Sequence, residues 1–254
     1  MNIVVCAKQV VDIAEMKIDA ATKKPLVEGA PKIVNDIDKN AIEEAIKIKE
    51  KQGGKITVVT VGSPDAKERI KEILAMGADE GILIPLTGEH DYHVVTMLLA
   101  QALKKLEAYD LILCGEASTD LFSGQVGPKL AGLLGLPQIT YAQKVDAAKE
   151  KLVAERNMGD TMVTTESTYP VVVTVTKEIN EPRLPSLMQI LSAASKPIHE
   201  WTAESLGDPV EPKVNTLEVK GVSMDRKNIV YKDETLDEAI QKLVDNLAKE
   251  GMLR

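Results

Sequence analysis

Aromatic side chains are almost missing from this chain. They make up 3% of its 254 residues, with a single Phe and a single Trp, so little ring surface is available to stack on bases or on a flavin. The core has to be built from Val, Ile, Leu, Ala and Met, and at 44% hydrophobic content there is enough of them for one large α/β domain or a domain with an appendage. An excess of positive charge is also lacking. The formal net charge of −8 argues against nucleic acid or an anionic membrane as partner, because both require a clustered positive field. Cysteine is scarce, and Cys6 and Cys114 each end an apolar run, where a free thiol behaves as a small buried hydrophobe. That suits a reduced, cytoplasmic protein. No apolar run of about 18 residues occurs, and the opening Met1 to Lys8 is too short and too soon interrupted for a signal peptide. The expectation is a soluble chain that does not span a membrane.

Catalytic signatures are missing as well. There is no G-x-x-x-x-G-K-[ST], no G-x-G-x-x-G after the first strand and no G-x-S-x-G, and no Ser or Cys has a convincing His partner in sequence. His90 and His93 stand three apart near a helix start, but a metal needs at least a third ligand, and with three histidines in the chain nothing supplies it. They are expected to be exposed polar residues at a helix start, with no metal site and no catalytic residue.

What is present is a rhythm of strands and helices. Residues 2 to 6 form a short apolar strand, followed by a polar and irregular segment up to Val34. Ile37, Ala41, Ile42, Ala45 and Ile46 then recur at helical spacing until Gly53-Gly54. Lys55 to Val61 is a β-branched strand. Ser63 as N-cap and Pro64 at the first helical position open a helix to Met76. Ile82 to Pro85 is a third strand, a helix spans about Asp91 to Lys105, and Leu111 to Cys114 is a fourth strand. Strands apolar on both faces that alternate with helices predict a parallel sheet covered on both sides. Ligands in such sheets bind beyond the carboxyl ends of the strands, where the loops after Cys6, Val61 and Cys114 would open together.

From Lys151 the period changes to two, and Leu152, Ala154, Met162, Thr164 and Glu166 alternate around Met158-Gly159-Asp160 as a hairpin. Tyr169 to Thr176 is a buried strand, and Pro182 and Pro185 stiffen an exposed loop. After Trp201 the chain loosens to about Asn228. Thr235-Leu-Asp-Glu238 is a capping box for a final helix with Leu236, Ala239, Ile240, Leu243, Val244 and Leu247 on one face and Gly251 after it. The division expected is an α/β domain over 1–200 and a C-terminal arm over 201–254 that docks on another subunit.

The segment from Tyr109 to Pro128 is the most informative. A strand ending at Cys114 meets Gly115, which turns without a Cβ clash, and Ser123-Gly124-Gln125 opens the next helix with backbone N–H groups free to meet an anion. In an acidic protein, the ligand read from this loop is a small phosphate held locally.

Several segments, taken in order, resemble one known family. They are Val4-Val-Cys-Ala-Lys-Gln-Val10, Val34 to Ala45, Ala75-Met-Gly-Ala-Asp79, Gly115 to Pro128, and Asn180-Glu-Pro-Arg-Leu-Pro-Ser-Leu187, with Lys196-Pro-Ile198 beyond. Over nearly its whole length the chain is similar to the beta subunit of electron-transfer flavoprotein. The resemblance implies a three-layer parallel-sheet domain, Rossmann-like and adenine-nucleotide-hydrolase-like, with an added β-hairpin and a C-terminal arm ending in a helix. It implies an alpha-subunit partner, an FAD that carries electrons between flavin dehydrogenases and an acceptor, and no enzyme activity in this chain itself. It also implies an adenine nucleotide here, AMP in ordinary carriers or a second FAD in electron-bifurcating ones. The positions matching that pocket are Cys6, Ala7, Asn35, Asp36, Ile37, Asp38, Val61, Gly115, Ser118, Asp120, Ser123, Gly124, Gln125 and Val126. Gly124 to Val126 would offer N–H groups to phosphate, and Asp120 and Ser123 would cap the turn or bind ribose.

Glu181, Pro182, Arg183 and Leu187 match the family's dehydrogenase-docking loop, with Leu187 in the place of its anchor, but Ser192 to Ser195 replace the lysine cluster of mitochondrial-type members. Asp120-Leu-Phe-Ser123 followed by Gln125-Val-Gly-Pro128 matches the bifurcating spelling only in its second half, which leans toward a second FAD. Two other readings are weighed. One is an adenine-nucleotide hydrolase or ligase on the same sheet, which would need a glycine-serine loop where Ala7-Lys-Gln-Val10 stands. The other is a stand-alone nucleotide-sensing module.

Overall fold

The computed structural model describes residues 1–88, 90–221, 227–232 and 234–253. In chain order the first elements are β1 (Asn2–Cys6), β2 (Gln9–Val11), β3 (Lys17–Ile18), β4 (Pro25–Leu26), β5 (Lys32–Val34) and α1 (Asp36–Gln52). There follow β6 (Lys55–Gly62), α2 (Lys67–Met76), β7 (Glu80–Pro85), α3 (Tyr92–Lys105), β8 (Leu111–Gly115) and α4 (Val126–Leu134). The remainder is β9 (Gln138–Ala147), β10 (Lys151–Asn157), β11 (Met162–Thr168), β12 (Val171–Val175), α5 (Leu187–Ala193), β13 (Ile198–Glu200) and α6 (Leu236–Lys249).

Nine strands form one sheet in the order β11-β10-β9-β12-β8-β1-β6-β7-β13. All pairings along the sheet from β9 to β13 are parallel, while β10 runs antiparallel to both its neighbours, β9 and β11. The expected hairpin therefore exists as β10 and β11 and extends this same sheet through β9. Side chains of β1 alternate faces: Ile3 and Val5 join a cluster with Ile42, Ile46, Ile73 and Leu74 from α1 and α2, while Val4 and Cys6 join one with Leu98, Leu99 and Leu130 from α3 and α4. Helices thus cover both faces, and each fully buried Ile or Leu contributes about 1.5–3 kcal/mol.

Two local expectations change, and one strand is new. The segment before Val34 is not irregular throughout, since β2 and β5 pair antiparallel, as do β3 and β4. Ser63 makes no side-chain cap, and the chain passes through a 3-10 turn, Pro64–Ala66, before α2 begins at Lys67. β9 escapes period-two reading because a bulge interrupts it: Tyr141 has φ 59° and its N–H goes to Thr174 Oγ1 at 3.1 Å.

The α/β unit is compact from Met1 to Val219, past the end expected at 200, because Trp201, Ala203, Leu206 and Val210 pack onto its second cluster. Residues 220 to 254 form a second unit. Part of the loose stretch ending at Asn228, residues 222–226, lies outside the described residues. Within the second unit α6 begins with the expected capping box between Thr235 and Glu238, and none of its residues is buried.

Candidate functional site

The strand order reverses between β1 and β8, and at such a switch point the flanking crossovers diverge to leave a crevice. A cleft with about 870 Å³ of free space, open solvent included, lies there. Cys6, Ala7 and Lys8 bound it from the end of β1, Val59 and Val61 from β6, Tyr92, Val95 and Leu99 from α3, and Cys114 to Ser118 from the end of β8. Its last wall is Ser123 to Val126 at the start of α4, whose leading N–H groups have no acceptor inside the helix.

The start of α1 ties the two strand-end loops together. Asp38 accepts from the Lys8 N–H at 2.8 Å and from the Gly115 N–H at 3.0 Å. Asn35 donates to Ala117 O at 3.0 Å and accepts from the Thr119 N–H at 3.0 Å. Both residues are buried, and three positions apart they lie on one helical face. Gly115 is required by this contact, because a Cβ there would stand 2.5 Å from Asp38 Oδ1 and 3.1 Å from the Asp38 backbone nitrogen. Gly127 plays the same part for α4, where a Cβ would stand 2.3 Å from Thr174 Cγ2 on β12.

Burial pushes the Asp38 carboxyl up from 3.8 to about 7, against the pull of the Lys8 and Gly115 N–H groups. The folded chain therefore keeps a proton that the unfolded chain has already released. This contribution to stability is complete below about pH 4 and is lost as pH rises to about 7, with a slope of up to about 1.4 kcal/mol per pH unit. Asp38→Asn removes the titration. Urea unfolding at about pH 5 and about pH 7.5 should show a smaller loss of stability in the variant than in the parent chain, and equal losses would refute the assignment.

Lys8 is the cation of the cleft, and the family-matched positions did not include it. Its ammonium is 2.7 Å from Asp120 and 3.4 Å from Ser118 Oγ, bridging the β1 loop to the β8 loop. The β8 loop is tightly wound: the Phe122 N–H meets Ser118 O at 2.8 Å, and Phe122 and Gly124 have φ of 49° and 62°. Phe122 is 67% exposed, so it neither fills the core nor covers the sheet.

Eleven of the expected positions bound the cleft, namely Cys6, Ala7, Asn35, Asp38, Val61 and Gly115, together with Ser118, Ser123, Gly124, Gln125 and Val126. Three do not. Ile37 is buried, and Asp36 pairs with Lys39 and borders a separate groove under the 180–185 loop. Asp120 reaches the cleft only through Lys8. A helix turns about 100° per residue, so a run such as 35 to 38 cannot face one site.

The loop from Glu181 is held from within. Arg183 donates from Nε and Nη2 to Glu43, and from Nη1 and Nη2 to Glu50, at 2.6 to 3.2 Å. Its guanidinium is thereby occupied inside the chain, although it was grouped with the docking residues. Asn180 Nδ2 donates to Asn40 O at 3.0 Å and to Glu44 Oε2 at 3.1 Å. Glu181 is exposed and Pro182 half-buried. Leu184 and Leu187 are 92% and 72% exposed, with Met188, Ile190 and Leu191 exposed beside them, so the expected single anchor belongs to a patch. His93 Nδ1 sits 2.8 Å from the Lys129 ammonium, and His90 Nδ1 lies 3.0 Å from Gly88 O. Among the described residues no helix is long and apolar enough to cross a membrane.

Comparison with known proteins points to one family. The family model described as "Electron transfer flavoprotein domain" matches residues 25–206. The electron transfer flavoprotein subunit beta of Thermoanaerobacterium thermosaccharolyticum is 39% identical over 97% of this chain and 98% of its own. That of Bacillus subtilis is 40% identical over 86% of each. The caffeyl-CoA reductase-Etf complex subunit CarD of Acetobacterium woodii is 39% identical over 82% of this chain and 80% of its own. With the three-layer fold, the matched domain and full-length similarity in agreement, the chain belongs to the electron transfer flavoprotein family, among its beta subunits.

Proposed function

We propose that this chain is the nucleotide-holding half of a two-subunit electron carrier and that its cleft takes the adenosine phosphate portion of AMP or of a second FAD. The observation that carries the reading is the cleft at the switch point, where an apolar wall (Val59, Val61, Val95, Leu99) faces a phosphate-suited end made of Lys8 and the start of α4. The residues fit the group. Valine and leucine side chains suit the flat face of a base, Ser118 and Ser123 offer hydroxyls to ribose or phosphate, and the ammonium of Lys8 together with the N–H groups from Gly124 to Val126 suits an anion. A phosphate would compete with Asp120 for Lys8. Gln125-Val-Gly-Pro128 favours a second FAD over AMP, and with it electron bifurcation in the assembled complex.

When bound, a flavin supplies the electron carriage, and this chain's residues bind, orient and shield it without catalysing a reaction of their own. The partner implied is an alpha subunit, with the exposed apolar face of α6 as part of its docking surface, and the compartment is the cytoplasm. Co-expression with a candidate alpha chain, followed by denaturation and chromatography of the released nucleotides, tests the reading. Two FAD per pair supports a second flavin, FAD with AMP supports the ordinary carrier, and the absence of any adenine nucleotide overturns it.

The Leu184 to Leu191 patch is the proposed contact for a flavin dehydrogenase. Leu187→Ala should slow electron transfer from the dehydrogenase by about 10-fold, as loss of a hot-spot anchor does, while flavin content stays unchanged. Stopped-flow rates equal to those of the parent would rule the contact out.

A further inference from the structure

Both cysteines of the chain stand side by side in the floor of the cleft. Cys6 ends β1 and Cys114 lies near the end of β8, and the parallel register pairs them directly. Their side chains share one face, because each belongs to the cluster under α3 and α4 while their neighbours Val5 and Leu113 belong to the other. Both bound the cleft, and both are free thiols. Adjacent strands are about 4.8 Å apart, inside the roughly 4.4–6.8 Å Cα separation that a disulfide spans. The hydrogen bond with Cys6 and then burial push the Cys114 thiol well above its ordinary range. Nothing in the nucleotide reading uses either sulfur.

We propose that Cys6 and Cys114 form an oxidisable dithiol that a hydroperoxide converts to an intramolecular disulfide when the cleft is empty, and that bound nucleotide shields it. The shielding clause rests on the function proposed above, and the dithiol clause does not. The step balances. The Cys6 sulfur attacks the O–O bond, releasing water or an alcohol and leaving a sulfenic acid. Cys114 then displaces the hydroxyl from Cys6, which leaves as a second water with the Cys114 proton, so two thiols are oxidised and one peroxide is reduced. A bond between strand ends that carry the loops beginning at Ala7 and Gly115 would also set the spacing of the cleft walls.

The full chain, freed of nucleotide, is treated with hydrogen peroxide in native buffer, then denatured with N-ethylmaleimide and weighed. The expected result is loss of two hydrogens with no maleimide adduct, and a proteolytic map joining the Cys6 and Cys114 peptides. Because the chain has two cysteines, a monomeric product of that mass has no other assignment. Cys6→Ser and Cys114→Ser should each abolish it. Two maleimide adducts on the peroxide-treated chain, or a link only between chains, would overturn the dithiol. Adding AMP or FAD, with occupancy read by equilibrium dialysis, should slow closure at least 10-fold. Unchanged closure with nucleotide bound overturns the shielding, whereas failure to bind either nucleotide counts against the function and leaves the dithiol result standing.

Discussion

Gly115→Ala is expected to destabilise the chain by on the order of 3 kcal/mol and to abolish nucleotide retention, because the added methyl meets atoms that cannot yield. A Cβ at this position would stand 2.5 Å from Asp38 Oδ1, 3.1 Å from the Asp38 nitrogen and 3.1 Å from the Ile37 carbonyl carbon. Two of these are backbone at the start of a helix, and the third already accepts the Gly115 N–H. Relief requires β8 and α1 to separate, which breaks the Asp38 and Asn35 bonds that hold both cleft loops. Gly132→Ala is the matched control. It lies in α4 with nothing within 4 Å of the added carbon, so it should gain about 0.5–1 kcal/mol from helix propensity. Urea midpoints of the two variants would separate in opposite directions, and a Gly115→Ala midpoint equal to the parent's would show that β8 and α1 have room to spare.

Arg183→Ala is expected to cost about 2–3 kcal/mol, lowering the thermal midpoint by about 5–10 °C. The side chain of Glu43 is 4% exposed and receives the Arg183 backbone N–H as well as the guanidinium, so removing Arg183 strands a buried carboxylate. The figure lies below the full cost of a broken buried pair because Arg183 is itself 33% exposed and water can enter. The exposed partner supplies the discriminating variant. Glu50, with its side chain 56% exposed, should lose at most about 1 kcal/mol as Glu50→Gln, while Arg183→Ala should also open residues 181 to 186 to limited proteolysis. Equal effects at Arg183 and Glu50 would place the clamp at the surface and not at Glu43.

Much of the cleft was legible because its parts repeat along the chain. β1, β6, β7, β8 and β12 announced themselves by apolar runs, and the loops after β6 and β8 by glycine and serine. Lys8 was passed over because nothing local distinguishes it: its partner Asp120 is 112 positions away. The same holds for Arg183 and Glu43, 140 positions apart, and a reading of local pattern places an arginine in an exposed loop on the outside by default. Asp36 and Ile37 belong to the same contiguous run as Asn35 and Asp38, but helical rotation turns only Asn35 and Asp38 toward the cleft. In β9 the buried residues Ile139, Ala142, Val145 and Ala147 are spaced three, three and two apart across two register shifts, which hides the strand from any search for period two.

The sequence by itself determined a three-layer α/β chain with parallel strands, an anion-suited turn after Cys114, a capped final helix and a place in the electron transfer flavoprotein family. The fold and turns follow from the spacing of apolar residues and from turn chemistry, which act over a few positions, and the family from the resemblance of ordered segments such as Gly115 to Pro128. Only the tertiary structure decided that strand order reverses between β1 and β8, that Asp38 reaches Gly115, that Arg183 is spent on Glu43, and that Cys6 lies beside Cys114. Such pairings are set by sheet register between distant segments, and register is fixed by packing of whole faces against the helices, which no single stretch of sequence contains.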